Sequence, residues 1–71
     1  MKEAKRPLLA SFRGSRTQEE IGREYGVTQQ VWSRWERGDV VPNVVVMKRL
    51  ERDIGFPMEQ IFPDVFNPQK A

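Results

Sequence analysis

The stretch Thr17–Gly38, TQEEIGREYGVTQQVWSRWERG, constrains this chain more than any other. Two segments that each begin with Thr, TQEEIGREYG and TQQVWSRWERG, meet at Gly26-Val27. A Thr hydroxyl accepts from the free N–H groups of a first helical turn, so each Thr marks a helix start. Thr17 with Glu20 three residues on makes a capping box. Gly26 suits the left-handed conformation that ends a helix and turns the chain. Thr28 opens a second helix and Gly38 closes it. The reading is two short helices across a turn of three or four residues.

Composition narrows what such a unit can belong to. Seventy-one residues make one domain, and a domain of this size hides only about 60% of its unfolded surface. The absence of Cys and His excludes disulfides, thiolate chemistry and the usual zinc sites. No metal and no cofactor is expected. Met1–Arg6 leads into no apolar core of a signal peptide, and no apolar run nears the roughly 20 residues of a membrane span. A cytoplasmic location with no membrane partner is expected. Catalysis is not, because no phosphate-binding Gly loop and no converging set of acids is visible. Glu19, Glu20 and Glu24 read as a solvated face.

Along the chain, five helices are expected and no strand. Helix 1 runs from about Arg6 to Arg13, with Pro7 in its first turn. Gly14-Ser15-Arg16 links to helix 2, about Gln18–Tyr25, and helix 3 is about Gln29–Arg37. Asp39–Pro42 is a loop, and Asn43 caps helix 4, about Val44–Ile54. Gly55 ends it, and Pro57 opens a short helix 5 through about Phe62. The run VVPNVVV also suits a strand. Helix is preferred there because Met47, Leu50 and Ile54 continue from Val46 at helical spacing. The domain is thus residues 1–62, with 63–71 an irregular tail.

Helix 3 has two faces. At about 100° per residue, Gln29, Gln30, Ser33, Arg34 and Arg37 fall within roughly 140° of one another. Val31, Trp32 and Trp35 take the opposite arc, which must pack on helices 1, 2 and 4. Stacking of the tryptophans on nucleic-acid bases is disfavoured by that position, and their indole N–H groups then need partners. The polar face carries two amides, a hydroxyl and two guanidiniums, with Glu36 only at its margin. Gln matches adenine N6 and N7, and Arg matches guanine O6 and N7. The second helix of such a pair enters the DNA major groove with its N-terminal end toward the bases. Charge agrees in direction: residues 1–38 hold eight Lys and Arg against five acids, and residues 39–71 hold four against five.

These residues resemble the phage repressor/Cro-type, or Xre-like, helix-turn-helix proteins. The resemblance covers about Leu8 to Phe62. It rests on Thr17-Gln18, Gly22 at an Ala-or-Gly position, Gly26-Val27, Thr28, the block Ser33-Arg34-Trp35-Glu36-Arg37-Gly38, Pro42-Asn43 and the ending GFPMEQIF. It implies an all-α, compact five-helix bundle of lambda-repressor-like type. It implies that Gln29, Gln30, Ser33 and Arg34 contact bases. Phosphates would be met by Gln18, Thr28, Arg37 and Asn43, with Arg16 added. Gln18 would also support the first residue of helix 3. Glu36 would pair with an arginine of helix 1, here Arg13, as a structural lock. The loop Asp39-Val40-Val41 departs from the pattern by lacking a Lys or Arg. Asp39 would repel the DNA backbone, leaving affinity modest or leaning on Arg16 and the N-terminal Lys2, Lys5 and Arg6, for which a frayed, solvated end is the alternative reading.

One recognition helix reads few base pairs, so a homodimer on an inverted-repeat operator is expected. Phe56, Pro57, Met58, Val65 and Phe66 are one candidate interface, and Val40, Val41, Val44 and Val45 another. Both sets have the alternative of folding back over the bundle. The leading expectation is a sequence-specific double-stranded DNA-binding transcriptional regulator, a repressor. The alternative is an antitoxin-type module that neutralises a partner toxin.

Overall fold

The computed structural model describes residues 6–66. Helix α1 is Pro7–Arg13, α2 Gln18–Glu24, α3 Gln29–Arg37, α4 Val44–Ile54, α5 Met58–Ile61 and α6 Pro63–Phe66. The described residues contain no strand, and VVPNVVV divides into an irregular stretch and the start of α4. The expected all-α bundle is present, with two corrections. Residues 63–66 form a sixth, one-turn helix rather than irregular tail. Pro63 needs no N–H partner at a helix start, and the N–H groups of Val65 and Phe66 both donate to the Phe62 carbonyl, at 3.0 and 3.1 Å. The remainder of that tail, 67–71, lies outside the described residues, as do Lys2 and Lys5.

The second correction concerns Arg6. It is no exposed basic end but a fully buried side chain. Its guanidinium reaches Asp64 of α6, which a reading of local pattern gives no reason to expect.

Local signals explain the helix ends. The Thr17 hydroxyl accepts from the Glu20 N–H at 3.0 Å, and the Glu20 carboxylate accepts from the Thr17 N–H at 2.9 Å. Gly26 has φ of 72°, a left-handed value that a side chain makes costly. Around it, the Val27 N–H donates to the Gly22 carbonyl at 2.8 Å and the Gly26 N–H to that of Arg23 at 3.1 Å. That pair of bonds is a Schellman closure. Gly22 serves by close approach instead. A Cβ there would lie 2.9 Å from the Val27 carbonyl oxygen and 3.1 Å from that of Thr28. In this backbone the two helices approach closely enough that a Cβ at position 22 would force the turn to shift.

Leu9, Ile21, Tyr25, Trp32, Trp35, Met47, Leu50, Ile61 and Phe62 form the core. Full burial of such a side chain stabilises by roughly 1.5–3 kcal/mol. Helix α3 packs on α1 and α2, while α5 bridges α4, α1 and α6. Trp32 stands between Tyr25 and Trp35, with ring centroids 5.5 and 5.4 Å away. Both tryptophans are therefore core residues and not base-stacking platforms.

Tyr25 ties α2 to α4. Its hydroxyl donates to the Asp53 carboxylate at 2.6 Å. The Arg49 guanidinium lies 4.1 Å from the ring centroid and donates to the Glu24 carbonyl at 3.0 Å. Burial, then the hydrogen bond to Asp53, pushes the Tyr25 phenol above its ordinary range. The same hydrogen bond holds Asp53 below its ordinary value.

Candidate nucleic-acid interface

Helix α3 begins where the Thr28 hydroxyl accepts from the Val31 N–H at 3.2 Å. Gln29 and Gln30 fill the first turn, whose foremost N–H groups have no acceptor within the helix. That end of a helix favours negatively charged or accepting groups. Gln29, Gln30, Arg34 and Arg37 are exposed and Ser33 is half-buried. Trp32 and Trp35 are buried beneath them, so the two faces lie as helical spacing predicts.

A shallow groove gathers Gln18, Gln29, Gln30, Ser33, Arg34 and Arg37. The structure thus brings together six of the nine residues singled out from sequence. They divide by what they already hold. Gln29, Gln30 and Arg34 make no side-chain hydrogen bond among the described residues. Arg37 instead spans two neighbours, donating from Nη1 to the Ser33 hydroxyl at 2.7 Å and from Nε to Asp39 at 3.1 Å. Asp39 is therefore not an isolated negative charge beside the groove.

Gln18 is turned toward the protein. Its amide donates to Glu36 at 3.2 Å, and no bond joins it to Gln29. Glu36, nearly buried, also accepts from Arg13 Nε at 2.7 Å, from Arg13 Nη2 at 3.3 Å and from the Trp32 indole N–H. One carboxylate thereby joins α1, α2 and α3. The Arg13–Glu36 pair implied by the resemblance is present, and the Trp32 indole has the partner its burial demands.

The other three predicted residues lie apart from this groove. Thr28 shares a neighbouring concavity with Gln29 and Gln30. The Asn43 side chain accepts from the Val46 N–H at 2.9 Å as the cap of α4. Arg16 is committed to the fold: it donates to the carbonyls of Arg13 at 3.1 Å and Phe12 at 2.6 Å, and pairs with Glu24 at 3.0 Å. Reaching a phosphate would cost Arg16 those bonds.

Sequence reading passed over Arg23. The Gly26 turn folds it beside Thr28, Gln29 and Gln30. It is exposed, with Glu19 at 3.3 Å one turn back. Its signal was present, since a basic residue just before a tight turn ends near the start of the next helix.

A family model described as helix-turn-helix matches residues 13–61. That span runs from the last residue of α1 through α5. Comparison with curated proteins gave no match, and comparison with solved structures gave none. No helix among the described residues is long and apolar enough to cross a membrane.

Proposed function

The chain belongs to the helix-turn-helix family of DNA-binding regulators, and from that premise we propose that it represses transcription by reading an operator in the major groove with α3. The observation carrying this reading is the division within the groove. Gln29, Gln30 and Arg34 are exposed and uncommitted, while the polar groups around them are held in place. Amides and guanidiniums are the groups that discriminate adenine and guanine by paired hydrogen bonds. Ser33 is the fourth base-facing residue of the proposal. Arg37, Thr28, Asn43 and Arg23 serve phosphates, with Gln18 aligning α3 through Glu36.

Two copies on an inverted repeat complete the proposal. Phe56, Val65 and Phe66 are exposed around α5 and α6 and suit a small symmetric contact. Met58, first grouped with them, packs against the core. A second reading, an antitoxin-type module, draws on another surface. Val44 and Val45 at the start of α4 are 64% and 73% exposed, which suits an apolar protein partner.

Selection of duplexes from a random-sequence pool tests the reading. Wild type is expected to enrich an inverted repeat, and a Gln29/Gln30/Arg34→Ala triple variant that still folds is expected to lose it. A folded wild type that enriches nothing at low salt would reject operator reading and favour the protein-partner role.

A further inference from the structure

Arg6 is a fully buried cation outside the groove. One edge of its guanidinium meets Asp64, with Nε and Nη2 donating at 3.0 and 2.9 Å. Its Nη1 donates to the carbonyls of Trp35 at 2.9 Å and Val40 at 2.7 Å. The cation also lies 5.0 Å from the Phe62 ring centroid. Trp35 is in the last turn of α3, and Val40 is in the loop after it.

Guanidinium donors are coplanar and fixed in angle. A side chain gripped by a carboxylate on one edge therefore dictates where acceptors on its other edge must lie. We propose that Arg6 and Asp64 are positioning residues for the DNA-binding surface. Together they set the spacing between the end of α3, which carries Arg34 and Arg37, and the loop that leads to Asn43. Helix α6 is then part of the reading head through the Arg6–Asp64 contact. The cation also sits where α3 presents its partly negative C-terminal carbonyls, an attraction that favours this arrangement. The proposal rests on the DNA reading above.

The turn that closes α3 supplies its own reporters. The Gly38 N–H donates to the same Trp35 carbonyl at 3.3 Å, and the Asp39 N–H donates to that of Arg34 at 3.0 Å. Both amides are protected while the loop holds its place.

The test compares wild type with Arg6→Met and with Arg6→Met/Asp64→Asn. The first replaces the buried cation with an apolar chain of similar length. The second also removes the Asp64 charge, so that loss of the whole ion pair is compared with loss of its cation alone. Amide exchange is read at Gly38 and Asp39 against Leu50 in α4, and affinity is read on the selected operator. In the folded variants the two loop amides are expected to exchange about tenfold faster relative to Leu50. Operator affinity is expected to fall about tenfold, with a lower thermal midpoint from the hydrogen bonds that the Trp35 and Val40 carbonyls lose.

Unchanged loop exchange overturns the proposal, whatever happens to affinity. Faster exchange with unchanged affinity overturns it too, because the loop position would then not matter to DNA. Failure of the DNA reading shows itself separately, as a wild type that enriches no sequence. The exchange measurement needs no DNA and still decides whether Arg6 holds the loop.

Discussion

The indole N–H of Trp32 donates to the carboxylate of Glu36 one helical turn away. A core aromatic and a buried charge thus sit side by side on α3, and Arg13 and Gln18 complete the carboxylate's shell. Removing Glu36 takes an acceptor from Arg13, Gln18 and Trp32, of which Arg13 keeps the Arg16 carbonyl at 3.2 Å. Glu36→Ala is expected to lower unfolding stability by about 3 kcal/mol, in the range for one-sided loss of a buried pair. Urea denaturation followed by tryptophan fluorescence measures it. A loss under about 1 kcal/mol would mean that water replaces the carboxylate without penalty.

Gly22→Ala opposes two local effects. Alanine favours helix by about 1 kcal/mol over glycine. The new methyl, however, meets backbone carbonyls of the turn, which cannot swing aside as a side chain would. Overpacking of this kind costs about 1–3 kcal/mol. Net destabilisation is expected, larger for Gly22→Val, with looser packing of α2 on α3. An alanine variant more stable than wild type would show that the turn opens freely.

At the groove, Gln29→Ala and Arg34→Ala are each expected to weaken operator binding by about 1–3 kcal/mol, and to relax preference at particular base pairs. Binding titrations over a set of singly substituted operators report this. Equal weakening on every sequence would assign these residues to phosphates.

Arg37→Ala is expected to reduce the slope of log affinity against log salt by about 1, the signature of one phosphate contact. Asp39→Asn is expected to act oppositely on affinity, because it frees Arg37 and removes a negative charge beside the groove. Titrations from low to moderate salt compare the two. If Asp39→Asn weakens binding, its bond to Arg37 orients the guanidinium more than it restrains it.

Tyr25 and Asp53 set a pH window for stability. The folded-state pKa of Tyr25 is raised, so its contribution is full below the unfolded value near 10 and declines as pH rises above it. The folded-state pKa of Asp53 is lowered. Its contribution is therefore full above the unfolded value near 4 and is lost as pH falls through the folded value. Denaturation of wild type and Tyr25→Phe from pH 7 to 11 isolates the alkaline limb, and Tyr25 is the chain's one tyrosine. Wild type is expected to lose more stability than the variant above pH 10, with tyrosinate absorbance rising only as the protein unfolds. Tyrosinate forming near pH 10 in folded protein would contradict the buried hydrogen bond.

Side-chain and backbone contacts within a few residues were legible from the chain alone. The Thr17 box, the Thr28 and Asn43 caps and the left-handed Gly26 each satisfy groups no more than five residues away. Periodicity then separated Gln29, Gln30 and Arg34 from Trp32 and Trp35, because angle along a helix follows from residue number. Tertiary structure decided which polar residues are spent on the fold. Arg16 and Gln18 have the same local character as the residues proposed to meet DNA, yet packing gives them internal partners. Arg6 and Asp64 stand 58 residues apart in the chain. No short-range pattern encodes their pairing, because it exists only once the bundle closes and leaves a buried cation in need of an acceptor.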